Sequence, residues 1–236
     1  MNNQFILEVK NLTKIYKKSN QGVFDLSFNV KRGEIHAFIG ENGSGKTTTI
    51  KSIINAYTNY KGSILIAGFD NKTPKSHEKI GYVPEIALFP SELTTFQYLY
   101  SFARLSNLNK KQAIERIDYF LEKFHISDLK NKKPINFSSG QKKKVILIQA
   151  LLHDPELIIL DEPTANLDPS ARHEFNTILK ELHEQNKTIF ICSHILKEMD
   201  SYVDSLTLIN KGKLVYSGHK YDELEKIYYE NVLKNK

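Results

Sequence analysis

Eight residues, Gly40-Glu41-Asn42-Gly43-Ser44-Gly45-Lys46-Thr47, restrict this chain more than any other stretch. They follow an apolar run from Ile35 to Ile39 that reads as a strand, and they lead into a helical pattern through Ile54. A glycine, four free positions and then Gly-Lys-Thr, set between a strand and a helix, describe a loop built around phosphate. Glycines 40, 43 and 45 let successive N–H groups turn inward on an anion. Lys46 brings a point charge for β- and γ-phosphates, and the Thr47 hydroxyl suits Mg²⁺. The helix opening near Lys46 adds its positive end. A ligand-free glycine turn is the plain alternative, and the flanking strand and helix argue against it. The expectation is a nucleoside triphosphate site in an α/β fold.

A length of 236 residues allows one large α/β domain, and 40% apolar residues suffice for a core. No stretch reaches the roughly 18 apolar residues of a membrane span. The start, Met1-Asn2-Asn3-Gln4, lacks the charged and apolar segments of a signal peptide. Cys192 is the only cysteine, which excludes an internal disulfide and a cysteine metal cluster. A cytoplasmic protein is expected. The net charge of +6 admits nucleic acid or an anionic membrane surface. The lysines are spread widely, however, as on a solvated exterior. Lys142-Lys143-Lys144, at the start of a helix, is read the same way, although electrostatic help for phosphates is the functional alternative.

Phe5 to Lys10 and Gly22 to Val30 alternate like half-buried antiparallel strands, and Ser63 to Ile66 and Ile80 to Val83 read as short strands. From Leu93 to Phe124 apolar residues recur at helical spacing with no strand between them, predicting an insert of two or three helices, about 88–135 overall. The α/β rhythm resumes with a helix from Ser139, strands at Leu157 to Asp161 and Thr188 to Cys192, and helices from Pro169 and Ile195. A hairpin turning at Asn210-Lys211-Gly212 and an amphipathic helix at about 221–233 close the chain.

The strand Leu157 to Asp161 delivers two carboxylates, Asp161 and Glu162, to its carboxyl end, where open parallel sheets bind ligands. Asp161 is expected to hold Mg²⁺ with Thr47. Glu162, facing the other way by the alternation of a strand, is expected to act as general base on a water aimed at the γ-phosphate. Phe137-Ser138-Ser139-Gly140-Gln141 opens a helix with small residues and free amides, a second phosphate-binding candidate. One nucleotide could use both sites only across two chains. Alone, Ser138 reads as an ordinary helix cap.

In this order and spacing the chain resembles the ATP-binding cassette (ABC) ATPases, the nucleotide-binding subunits of ABC transporters, from about Phe5 to Gly218. Gly40 to Thr47 matches their Walker A loop and Leu157 to Asp161 their Walker B strand, with Glu162 at the catalytic glutamate position. Phe137 to Gln141 stands where the family has Leu-Ser-Gly-Gly-Gln. Ala165-Asn166-Leu167-Asp168 resembles the D-loop, Ser193-His194 the switch histidine, and Tyr16 the aromatic that stacks on adenine. Two departures stand out: Glu85 replaces the usual Gln in Tyr82-Val83-Pro84-Glu85, and Ser139 replaces the first signature glycine.

The resemblance implies a single domain over 1–236, with a P-loop NTPase core of the α/β class, an antiparallel β subdomain and an inserted helical subdomain. It implies that ATP is held by Tyr16, Gly40, Glu41, Asn42, Gly43, Ser44, Gly45, Lys46, Thr47, Thr48 and Glu85. From a second chain, Ser138, Ser139, Gly140, Gln141 and Asp168 would complete the site. Mg²⁺ would fall to Thr47, Glu85 and Asp161, and catalysis to Lys46, Glu162 and His194. The implied partners are a second ATP-binding subunit and a membrane permease that the chain lacks, on the cytoplasmic face of the membrane. Glu85 tilts the expectation toward export. A soluble ABC ATPase working on ribosomes or nucleic acid is the competing class, disfavoured because such proteins carry tandem cassettes or long insertions.

Overall fold

The computed structural model describes residues 4–17 and 19–234, so Met1 to Asn3, read above for a leader, lie outside the described residues. Strands β1 (Phe5–Ile15) and β2 (Gly22–Lys31) form a hairpin, and β3 (Ile35–Ile39) runs into the phosphate loop and α1 (Lys46–Ile53). Then come β4 (Lys61–Ile66), β5 (Phe69–Asp70), the one-turn α2 (Pro74–His77) and β6 (Ile80–Val83). The insert contains α3 (Thr95–Leu105) and α4 (Lys110–Lys123), followed by two 3₁₀ turns. Helix α5 (Ser139–Leu151), β7 (Leu157–Asp161), α6 (Pro169–Glu184), β8 (Thr188–Ser193) and the one-turn α7 (Leu196–Met199) restore the alternation. The hairpin β9 (Ser205–Asn210) and β10 (Lys213–His219) precedes α8 (Leu224–Tyr228).

Two sheets result, one ordered β2-β1-β4-β5 and one ordered β10-β9-β3-β8-β7-β6. In the second, β3, β8, β7 and β6 run parallel, and β10 alone turns back against β9. Their period of two splits the core. Ala37, Ile158, Leu160, Ile189 and Ile191 face a cluster with the helices, whereas Phe38, Ile159 and Phe190 face a second cluster shared with the antiparallel sheet and α1. Both faces of the parallel strands are therefore covered, and every residue of β3, β7 and β8 is buried.

Helices α3, α4 and α5 each start with a reciprocal cap, Thr94 with Gln97, Asn109 with Gln112 and Ser138 with Gln141. Elsewhere the sequence reading needs adjusting. β5 and α2 went unforeseen, although Pro74 at the first helical position was a start signal. The helix expected from Ile195 closes after a single turn. The terminal helix begins at Leu224 because Asp200 Oδ1 accepts its N–H at 2.8 Å, and it widens into a π-turn over Tyr229–Leu233.

Between the sheets, His36 stacks on Phe28 and Phe190 and is fully buried. Ser205 Oγ donates to the Glu34 carboxylate at 2.9 Å, so His36 Nδ1 must donate to Ser205 Oγ at 2.8 Å. Neutral His36 then accepts at Nε2 from Thr207 Oγ1 at 2.9 Å. Burial lowers its pKa to about 3. The unfolded chain, with an ordinary histidine near 6.5, thus binds a proton between these values that the folded chain refuses, and stability must fall as pH drops through that window. From pH 7.5 to 5.5 this one group should remove about 1.4 kcal/mol, read as a lower urea midpoint. Equal midpoints would contradict a neutral His36.

Candidate functional site

The phosphate loop and the candidate catalytic and metal-ligating residues leave the carboxyl ends of four adjacent parallel strands, in the order β3, β8, β7, β6, whereas Tyr16 follows β1 of the other sheet. β3 delivers the phosphate loop, β8 delivers His194, β7 delivers Asp161 and Glu162, and β6 delivers Glu85. They surround a cleft of about 330 Å³ lined by Tyr16, Asn42, Gly43, Gly45, Lys46, Thr47, Thr48, Glu85, Glu162 and His194. Gln21 and Gly22, to which no sequence signal pointed, also line it, as does Ala165 at the start of the segment that resembles the D-loop. Two larger grooves, of about 560 and 630 Å³, lie away from these strand ends and gather none of this chemistry.

The loop is shaped by left-handed backbone at Gly45, with φ of 107° at the cap of α1. An added Cβ there would also sit 2.5 Å from Val23 Cγ1, so only glycine fits. The turn between β9 and β10 braces the loop from outside, Gly212 N–H donating to the Ser44 carbonyl at 2.9 Å. Lys46 is 7% exposed, and its ammonium donates to the carbonyls of Gly40 at 2.7 Å and Glu41 at 3.2 Å. The same group lies 3.8 Å from Glu162 Oε1. Glu41 carries a side-chain hydrogen bond with Tyr228 near the end of the chain.

Glu162 reaches the cleft by a route the sequence reading did not anticipate. It is not the next residue of a pleated strand; its φ is 45°, and its N–H donates to the Cys192 carbonyl at 2.9 Å. That left-handed turn, rather than strand alternation, aims the carboxylate. His194 Nδ1 donates to Glu162 Oε2 at 2.9 Å, and the turn presenting His194 is held by Ile195 N–H on Ser193 Oγ at 3.1 Å. Lysine, glutamate and histidine thus form one contiguous set.

Asp161 lies beneath them, 3% exposed, and its Oδ1 is buried without a hydrogen-bond partner. Burial pushes its carboxyl above the usual range; a hydrogen bond with Cys192 opposes this, and the charges of Glu162 and Glu85 add to the rise. A buried orphan oxygen among three carboxylates is a setting that a divalent cation would relieve. At the rim, Tyr16 presents a ring 37% exposed. Its hydroxyl lies 3.1 Å from Thr48 Oγ1, and Tyr57 packs edge-on against it at 6.2 Å.

Ser138, Ser139, Gly140, Gln141 and Asp168 do not line this cleft. Ser138 and Gln141 cap α5 reciprocally, and Asp168 Oδ1 caps α6 by accepting the Ala171 N–H at 2.9 Å. Ser139 is an exposed first residue of α5 without positive φ, so the missing glycine brings no backbone strain. The lysine reading requires correction: Lys143 and Lys144 are 4% and 9% exposed, not solvated. Lys144 bonds the Phe124 carbonyl at 3.0 Å and pairs with Glu174, while Lys143 reaches the loop that carries Glu85.

The family model described as ABC transporter matches residues 23–165. A putative ABC transporter ATP-binding protein of Mycoplasma pneumoniae is 50% identical over 90% of this chain, which spans 66% of that relative's length. The SkfA peptide export ATP-binding protein SkfE of Bacillus subtilis is 35% identical over 89% of this chain and 87% of its own. The structure of an ATP-binding subunit of an ABC transporter, 32% identical, superposes with a TM-score of 0.80 over 95% of this chain and 92% of its own. With the phosphate loop, the strand-end carboxylates and the histidine gathered at one sheet edge, the chain belongs to the ABC transporter family as an ATP-binding ATPase subunit.

Proposed function

We propose that the chain powers export through a separate membrane permease, by closing on a second ATP-binding subunit and hydrolysing the ATP held between them. The observation that carries this reading is the Lys46, Glu162 and His194 set at the floor of a cleft with Tyr16 at its rim. In this reading the adenine lies on Tyr16, and the triphosphate runs over the amides of Gly43 to Thr47 toward Lys46. Glu162 accepts a proton from water as the water oxygen bonds the γ-phosphorus, the bond to the β–γ bridging oxygen breaks, and ADP leaves with that electron pair. His194 orients the Glu162 carboxylate through Nδ1.

Thr47 and Asp161, with Glu85 at the cleft wall, fit Mg²⁺, which when bound would neutralise phosphate charge. Ser138 to Gln141 and Asp168, which do not line the chain's own cleft, are offered to the nucleotide of the second subunit. Ile86 and Leu88, 68% and 79% exposed just past Glu85, suit a contact with the permease. No described helix is long and apolar enough to cross a membrane, so the membrane path falls to the other protein. Export is supported by the likeness to a peptide export ATP-binding protein.

Purified protein should release phosphate from ATP only with a divalent cation, and detergent extracts should yield it bound to a membrane-spanning protein. Absence of phosphate release, or recovery with nucleic acid that stimulates the activity, would replace this reading.

A further inference from the structure

Lys143 lies two residues beyond Gln141 on α5, yet its ammonium leaves that helix altogether. It donates to the carbonyls of Pro84 at 2.9 Å and Glu85 at 2.7 Å, the first two residues after β6. The stretch 84–90 has no regular structure of its own, so its carbonyls look to a side chain for a donor. The surroundings suit a retained charge. Burial lowers the lysine to about 8, and the carboxylates of Glu85, Asp161 and Glu162 act against that fall. Below Lys143 the two elements already touch by backbone: a Cβ on Gly81 of β6 would lie 2.4 Å from the Ala150 carbonyl of α5. Lys143 extends this backbone-to-backbone contact past the end of the strand. The resulting unit brings Ser138 to Gln141, at the opening of α5, beside Glu85, which lines the cleft.

We propose that Lys143 is a positioning residue that yokes the opening of α5 to the Glu85 loop, so that engagement of Ser138 to Gln141 by a second subunit's nucleotide and the placement of Glu85 at the chain's own nucleotide change together. The inference rests on the two-subunit reading above. It differs from a general structural role because the bonds run to main-chain carbonyls at the cleft, not to the core. Loss of the ammonium should free the loop without touching the phosphate cradle.

The test compares Lys143→Met and Lys143→Arg in the full chain, with Glu162→Gln as the reference for dimer formation. Binding of a fluorescent ATP analogue, the ATP dependence of phosphate release, and amide exchange across 84–88 are read on each. Lys143→Met should bind the analogue within about twofold of the parent, exchange faster across 84–88, and lose about tenfold to hundredfold in kcat. Lys143→Arg, which keeps a charged donor, should recover most of that loss. Parental kcat and unchanged exchange in Lys143→Met would overturn the proposal, as would equal failure of both variants with parental melting temperatures. If Glu162→Gln shows no ATP-dependent dimer, the two-subunit reading fails by itself, and loop exchange still decides whether Lys143 holds Glu85.

Discussion

Glu162→Gln is expected to lower phosphate release by about 10² to 10⁴-fold, the usual contribution of a positioned general base, while ATP binding persists. The substitution keeps the shape of the side chain and an oxygen that can accept the His194 Nδ1 bond, now 2.9 Å long. What disappears is the ability to take a proton from water, together with the negative charge 3.8 Å from Lys46. With hydrolysis blocked and nucleotide retained, the closed pair of subunits should accumulate. Gel filtration with and without Mg²⁺-ATP reads this as a shift to twice the mass of the nucleotide-free chain. A variant that hydrolyses at the parental rate would remove Glu162 from the role assigned to it, and one that stays a single chain in ATP would remove the two-subunit reading.

Lys46→Met should act one step earlier, on binding. Lys46 is nearly buried, and its ammonium is bonded to the carbonyls of Gly40 and Glu41. A triphosphate offers it stronger, charged acceptors, worth about 1.5–3 kcal/mol per hydrogen bond. Losing one such interaction weakens binding by roughly 10 to 100-fold. Methionine fills much the same volume, so the loss should not come from a cavity. A fluorescent ATP analogue titrated against both proteins measures the effect, and thermal melting confirms that the variant folds. Affinity within twofold of the parent would mean that the backbone amides alone hold the phosphates.

The two variants separate binding from chemistry, and the separation follows from topology. Lys46 comes from the end of β3 and Glu162 from the end of β7, with β8 and its His194 between them. Their backbones are held independently, Lys46 by the helix α1 that it opens and Glu162 by its N–H on the Cys192 carbonyl, so a side-chain change at one leaves the backbone of the other in place. The adjacency is tight enough that Glu162 touches both Lys46 and His194.

Local chemistry made much of this site readable in advance. A phosphate loop needs glycines and a lysine at set spacing whatever surrounds it, and an apolar run ending in Asp161 and Glu162 announces a buried strand. Reciprocal caps and a Pro after Asp168 likewise act within four residues. The misreadings arose where long-range contact decides. Lys143 and Lys144 carry the sequence signature of a solvated helix face, yet each is bound by a carbonyl from a segment 59 or 20 residues away. Glu162 was assigned its direction from strand alternation, whereas a bond to the Cys192 carbonyl of the next strand holds it in a left-handed turn. At Ser139, where the chain departs from the family's glycine, the helix cap places the residue in ordinary helical backbone.

By itself, then, the order of residues determined which groups are candidates to meet phosphate and on which kinds of element they ride, because those demands are met by neighbours along the chain. Only the tertiary structure decided that Asp161 keeps an oxygen without a partner, that the opening of α5 stays out of the lining of the chain's own cleft, and that Lys143 ties that helix to Glu85. Burial and hydrogen-bond partnership belong to pairs of distant segments, and no property of a single segment encodes them.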